Sequence, residues 1–93
     1  MKAVIIFSRS SASKTGKPHW EQDLISHRTY LVETTKNKLI AAGPFMDHTG
    51  GLVIVEVNHL NEAEEIAKND PAVLDNKFNY TIHPREPLEG ILN

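Results

Sequence analysis

KAVIIFS, residues 2 to 8, is apolar on both of its alternating sides: Ala3, Ile5 and Phe7 on one, Val4 and Ile6 on the other. Successive strand side chains point to opposite faces, and the run is rich in Val, Ile and Phe, so it predicts a strand buried in a sheet. LVIV, residues 52 to 55, has the same character. Both faces of such strands have to be covered, and this requirement decides the architecture.

Working outward, residues 8 to 17 read SRSSASKTGK, with small polar residues, three cations (Arg9, Lys14, Lys17) and no acid. That predicts a flexible loop. Pro18 suits the first turn of a helix, where its missing N–H costs nothing. Trp20, Leu24, His27 and Leu31 then recur on one helical face, with Ile25 and Tyr30 reading as further core residues. LIAAGPF, Leu39 to Phe45, predicts a strand ended by Gly43-Pro44; residues 47 to 51 form a turn, and Leu52 to Val57 forms the second arm of a hairpin. Asn61 predicts the start of a second helix, with Glu64 at capping-box spacing and Leu60, Ala63, Ile66 and Ala67 as its apolar face. Asp70-Pro71 ends that helix. After a short connection, Phe78 to His83 alternates, with Phe78, Tyr80 and Ile82 on the inner side, and the tail from Pro84 reads as irregular.

The order strand, helix, strand, strand, helix, strand predicts an α+β fold of ferredoxin-like βαββαβ type, a four-stranded antiparallel sheet with both helices on one face. The doubly apolar strands leave the other face as a large apolar patch. The expectation is that two copies pack through their open sheet faces, a homodimer or higher homo-oligomer in which the sheets form a dimeric α/β barrel. With 93 residues the chain reads as one domain, residues 1–93, and a domain this small gains from a partner.

Composition narrows the function. A formal net charge of -2 argues against a nucleic-acid partner. Without cysteine there is no disulfide, thiolate metal site or cysteine nucleophile. No stretch approaches the run of about 20 apolar residues that spans a bilayer, and Ala3 to Phe7 is too short for a secretory core. The reading is a cytoplasmic protein with no membrane partner.

His27 is the leading candidate for chemistry. An imidazole titrates near neutrality and suits proton transfer, although a core histidine bonded to a backbone carbonyl would also fit the stripe. Asp70 is its best partner: in a ferredoxin-like fold the end of the second helix approaches the first, and a carboxylate there would fix the imidazole tautomer. Asp before Pro is also common turn chemistry. No two of the five histidines (His19, His27, His48, His59, His83) stand at local ligand spacing, so neither a metal nor a cofactor is expected. SKTGKP, residues 13 to 18, lacks the order of a phosphate-binding loop. Arg9, with Lys14 and Lys17, could attract an anionic ligand or could simply be solvated. Gly43-Pro44 could form a pocket wall or only a turn.

The residues just named carry a resemblance. SHRTYL around His27, Ala42-Gly43-Pro44, VIVEV ending near Glu56, Glu62-Ala63, Asp70-Pro71 and YTIHP ending at Pro84 together resemble the YCII-related domain (YciI-like) family over nearly the whole chain. The resemblance implies a ferredoxin-like fold that dimerises through its sheets, with a His/Asp-centred active site at His27 and Asp70; on the residues' own reading Arg9, Gly43 and Pro44 are the candidate substrate contacts. A few such proteins eliminate chloride from hydroxylated rings, so the reading favoured on family grounds is lyase or isomerase chemistry; the expected partner is a small-molecule ligand, anionic or aromatic, while the substrate class does not carry over. The chain departs from the pattern at Ile25-Ser26, where Arg-Pro often stands, and at Pro84-Arg85, where an aromatic usually follows the proline. A non-catalytic ligand-binding module and a purely structural dimeric domain remain the alternatives.

Overall fold

Residues 1–9, 25–47 and 49–85 are described by the computed structural model. They form β1 (Lys2–Arg9), α1 (Ile25–Thr34), β2 (Leu39–Pro44), β3 (Gly50–Glu56), α2 (Leu60–Lys68), α3 (Pro71–Leu74) and β4 (Phe78–Arg85). The four strands make one sheet in the order β2-β3-β1-β4, every pairing antiparallel. This is the expected ferredoxin-like α+β arrangement. The expectations for Lys14, Lys17, Pro18, Trp20, Leu24, His19, His48 and the tail beyond Arg85 lie outside the described residues.

Register assigns the two faces. Phe7 pairs with Gly51 and Tyr80, Ile5 with Val53 and Ile82, and Ala3 with Val55 and Pro84. Directly paired residues share a face, so these rows face the helices. Ala3, Ile5, Phe7, Val53, Val55 and Phe78 are buried there against Ala63, Ile66 and Ala67 of α2 and Ala72 of α3. On the other face Val4 and Ile6 pair with Ile54 and Leu52, all half-buried. None of the described helices covers them.

Four local expectations need correction. α2 begins at Leu60, not Asn61: His59 holds the extended N-cap backbone (φ -137, ψ 148) without a side-chain cap bond. Asn61 is already helical, so it cannot cap. Glu64 instead accepts a bond from Tyr80 Oη at 2.7 Å. The connection after α2 contains a short helix, α3, with Asp70 as N-cap and Pro71 in its first turn. β4 continues through Pro84 and Arg85, because it is an edge strand, where a missing ladder donor is tolerated. Ile25 is 72% exposed and is not a core residue.

Gly50 is the glycine the fold requires. A Cβ there would overlap Phe7 O and lie 2.8 Å from Phe7 C, both backbone atoms of the central strand. At Gly43 a Cβ would meet nothing within 4 Å. Gly50→Ala is therefore expected to destabilise the protein by about 1–3 kcal/mol, the range for forced overpacking, and Gly43→Ala to stay within about 0.5 kcal/mol. Chemical denaturation of the two variants checks this; equal midpoints would refute the close approach at Gly50.

Candidate active site

Four elements meet at one end of the sheet, where β1 finishes and β4 begins. α1 presents His27, Tyr30 and Leu31 inward at helical spacing, all half-buried. No residue of α1 is fully buried. β1 supplies Phe7 and β4 supplies Phe78, whose rings lie 6.1 Å apart. The His27 ring meets both edge-on, at 5.2 Å from each, with interplanar angles of 87° to Phe7 and 70° to Phe78. The turn from α2 into α3 supplies Asp70.

Asp70 is completely buried. Its Oδ1 accepts the Ala72 N–H at 2.8 Å, which caps α3. Its Oδ2 lies 2.6 Å from His27 Nδ1, and the His27 side chain is only 14% exposed. Among the described residues neither atom completes a hydrogen bond; what joins them is the close ion-pair contact with each other. An ionised carboxylate only accepts, so this contact favours the tautomer with the proton on His27 Nδ1, in which the neutral ring keeps its Nε2 lone pair. The Phe7 and Phe78 rings flank the imidazole, and the low-dielectric surroundings strengthen the contact.

The other expected site residues are more dispersed. Arg9 is the last residue of β1 and pairs with Phe78, on the face that carries His27. Pro44 pairs with Gly51, which pairs with Phe7; it shares that row at the exposed β2 edge, two strands from Phe7. Gly43 pairs with Leu52, a row that faces the open side of the sheet. His59 precedes α2, and His83 lies on the open side with Nε2 3.0 Å from Thr81 Oγ1. Among the described residues no three His, Asp or Glu side chains converge as metal ligands. A hollow at the β2–β3 hairpin, lined by Phe45, Met46, Asp47 and Thr49, is built on a turn: Asp47 Oδ1 accepts from Thr49 N and Oγ1 at 3.2 and 2.7 Å.

Sequence reasoning passed over Phe7 and Phe78 as walls of the site, reading both only as sheet residues. Alternation puts both on the inner face, but only the β1–β4 register brings them together beside His27. Tyr30 read as core, yet its hydroxyl donates to Ile66 O at 2.8 Å. Burial pushes its phenol pKa above the ordinary value, the Asp70 and Glu65 charges add to that, and a Thr34 hydrogen bond opposes it.

A ferredoxin-like sheet with a largely buried His–Asp contact at its strand end delimits a class of small α+β domains. The chain belongs to the YCII-related domain family, whose model matches residues 1–84. It is 40% identical over 63 residues to the uncharacterized protein YjpA of Bacillus subtilis (strain 168), spanning 67% of this chain and 74% of that one. Its fold is similar to that of 5-chloro-2-hydroxyhydroquinone dehydrochlorinase (TftG) from Burkholderia phenoliruptrix AC1100, solved in complex with 2,5-dihydroxybenzoquinone. That likeness has a TM-score of 0.74 at 22% identity and covers 96% of this chain and 97% of the other. No helix among the described residues is long and apolar enough to cross a membrane.

The two oxygens of Asp70 can be separated experimentally. Neutral His27 is expected as the Nδ1–H tautomer by ring nitrogen NMR shifts. In Asp70→Asn the amide oxygen keeps the cap on Ala72 and the NH₂ group faces His27, so the ring should switch to Nε2–H. Asp70→Ala loses the cap as well and should be about 1 kcal/mol less stable than Asp70→Asn. A wild-type ring already in the Nε2–H form would disprove the pairing.

Proposed function

We propose that this chain is a small-molecule enzyme of lyase or isomerase type, with His27 transferring the proton and Asp70 holding it in position. The observation that carries the proposal is the 2.6 Å contact between His27 Nδ1 and the fully buried Asp70 carboxylate. With Nδ1–H committed to Asp70, Nε2 would take a proton from an acidic O–H or C–H of the ligand. The resulting imidazolium is stabilised by Asp70. Returning that proton to another atom isomerises the substrate; in an elimination the electron pair left behind by the proton forms a new double bond, the leaving group departs with its own bonding pair, and His27 then gives the proton to the leaving group or to solvent.

Arg9 is the binding group of this proposal. It shares the inner face with His27, and its guanidinium would hold an anionic oxygen of the ligand. The Gly43–Pro44 backbone forms the rim on the β2 edge. The dehydrochlorinase of similar fold, solved with a dihydroxylated quinone, supports hydroxylated rings as the first substrate class to test. The apolar second face of Val4, Ile6, Leu52 and Ile54 supports a second copy of the chain packing there.

Screening for turnover of hydroxylated aromatics and lactones tests the chemistry. His27→Gln should retain the fold and lower the rate by about 10²–10⁴-fold, the range for a lost general acid–base group. Saturable binding by the wild type without turnover across the panel would make the chain a ligand-binding module. The assembly is checked separately: at micromolar concentration the protein should sediment as a homodimer, and a monomer would remove the second copy from the proposal.

A further inference from the structure

We infer that Tyr30 is a positioning residue for the His27–Asp70 pair, holding the first helix in the rotation and register that bring the imidazole onto the carboxylate. The inference deepens the proposed function and rests on its reading of His27 and Asp70 as the reactive pair.

The argument starts at the end of α2. In a continuing α-helix Ile66 O would accept the amide four residues on, which is Asp70 N. Here Asp70 N bonds to Ala67 O instead, at 3.2 Å, because the chain leaves α2 to start α3 at Pro71. Ile66 O is thereby released, one of the carbonyls a helix end leaves without an intrahelical partner. Tyr30 Oη donates to it at 2.8 Å. The departure that turns the Asp70 side chain toward His27 therefore also creates the acceptor that Tyr30 takes.

His27 and Tyr30 are three residues apart on one face of α1, and Ile66 and Asp70 are four apart across the turn out of α2. The Tyr30 hydrogen bond and the His27–Asp70 contact join the same two segments about one helical turn apart. Two such points resist rotation and sliding, which one alone would not. α1 needs them because apolar packing seats it only loosely: Tyr30 and Leu31 pack half-buried on the core, none of its residues is fully buried, and Ile25 and Val32 are 72% and 61% exposed. Hydrogen bonds weaken steeply with angle, so a slightly rotated α1 would still lie on the core while its imidazole lost Asp70.

The test is Tyr30→Phe, read at the His27 ring by nitrogen NMR shifts. The fold should persist, and the neutral ring should move from Nδ1–H toward Nε2–H by roughly 2–10-fold, the factor for one lost hydrogen bond. Ile82→Val, a core truncation on β4, serves as the control for lost stability and should leave the tautomer unchanged. Tautomer populations in Tyr30→Phe equal to wild type, or moved equally by Ile82→Val, would overturn the positioning role while leaving the His27–Asp70 pair standing. A wild-type ring without the Nδ1–H tautomer would overturn the pair and this inference together. If Tyr30→Phe does not fold, the wild type is read at alkaline pH. Burial raises the Tyr30 pKa, so its hydroxyl stays a donor below the ordinary phenol value and is lost as the pH rises through the raised one. The His27 tautomer should change in step with the Tyr30 ring shifts, and a tautomer that ignores them would overturn the role.

Discussion

One buried carboxylate organises this end of the molecule. Asp70 is fully shielded from water, and an isolated charge there would be unfavourable by several kcal/mol. Its two oxygens answer that cost with different partners, the Ala72 amide and the His27 imidazole. The bond to Ala72 starts α3, and the contact with His27 ties α1 to that turn. The break between α2 and α3 and the seat of the first helix are both tied to this side chain. Pro71 helps from the backbone: it disfavours helical dihedrals at Asp70, which is extended (φ -63, ψ 129).

The contrast between the two longer helices follows from this division of labour. α2 buries Ala63, Ile66 and Ala67 on the sheet and would hold its place by apolar contact alone. α1 buries nothing completely and presents an imidazole and a phenol where aliphatic side chains would pack better. Local choices that weaken packing without an evident structural gain are typical of functional positions. The sheet beneath shows the opposite economy. Phe7 and Ile6 are neighbours in sequence and face opposite ways, so one central strand backs the His27 site with one side chain and the open apolar face with the next.

The strands were legible because their signal is local. Alternation in Phe78 to His83 and the doubly apolar runs in β1 and β3 needed no tertiary knowledge. Helix α3 was not legible, since four residues carry no periodicity and Asp-Pro reads equally well as a simple stop. The start of α2 misled for a related reason: Asn61 has the side chain of a cap, but the extended backbone falls two residues earlier, at His59. The His27–Asp70 contact could be anticipated from topology, because consecutive helices on one face bring the end of the second to the first. Phe7 and Phe78 could not be placed against the imidazole without the register that sets β1 beside β4. Gly50 looked like turn chemistry, and only the proximity of the Phe7 carbonyl explains it.

The energetic standing of the pair bears on why it is there. A leucine at position 27 would gain about 1.5–3 kcal/mol from full burial of its side chain. It would also strand Asp70 Oδ2, and removing one partner of a buried pair costs about 3–5 kcal/mol. With Asp70 in place, histidine is therefore the better residue at 27, although leucine has the greater apolar surface. The comparison reverses when both positions are free to change, since replacing a buried ionic pair by well-packed apolar residues is often neutral or stabilising by about 1–4 kcal/mol. Stability thus accounts for each member given the other but not for the pair. A group that can both hold and release a proton, set between two aromatic edges with 14% of its side chain still open to solvent, is what an aliphatic pair could not supply. That is the physical case for reading His27 as a working residue and not as packing.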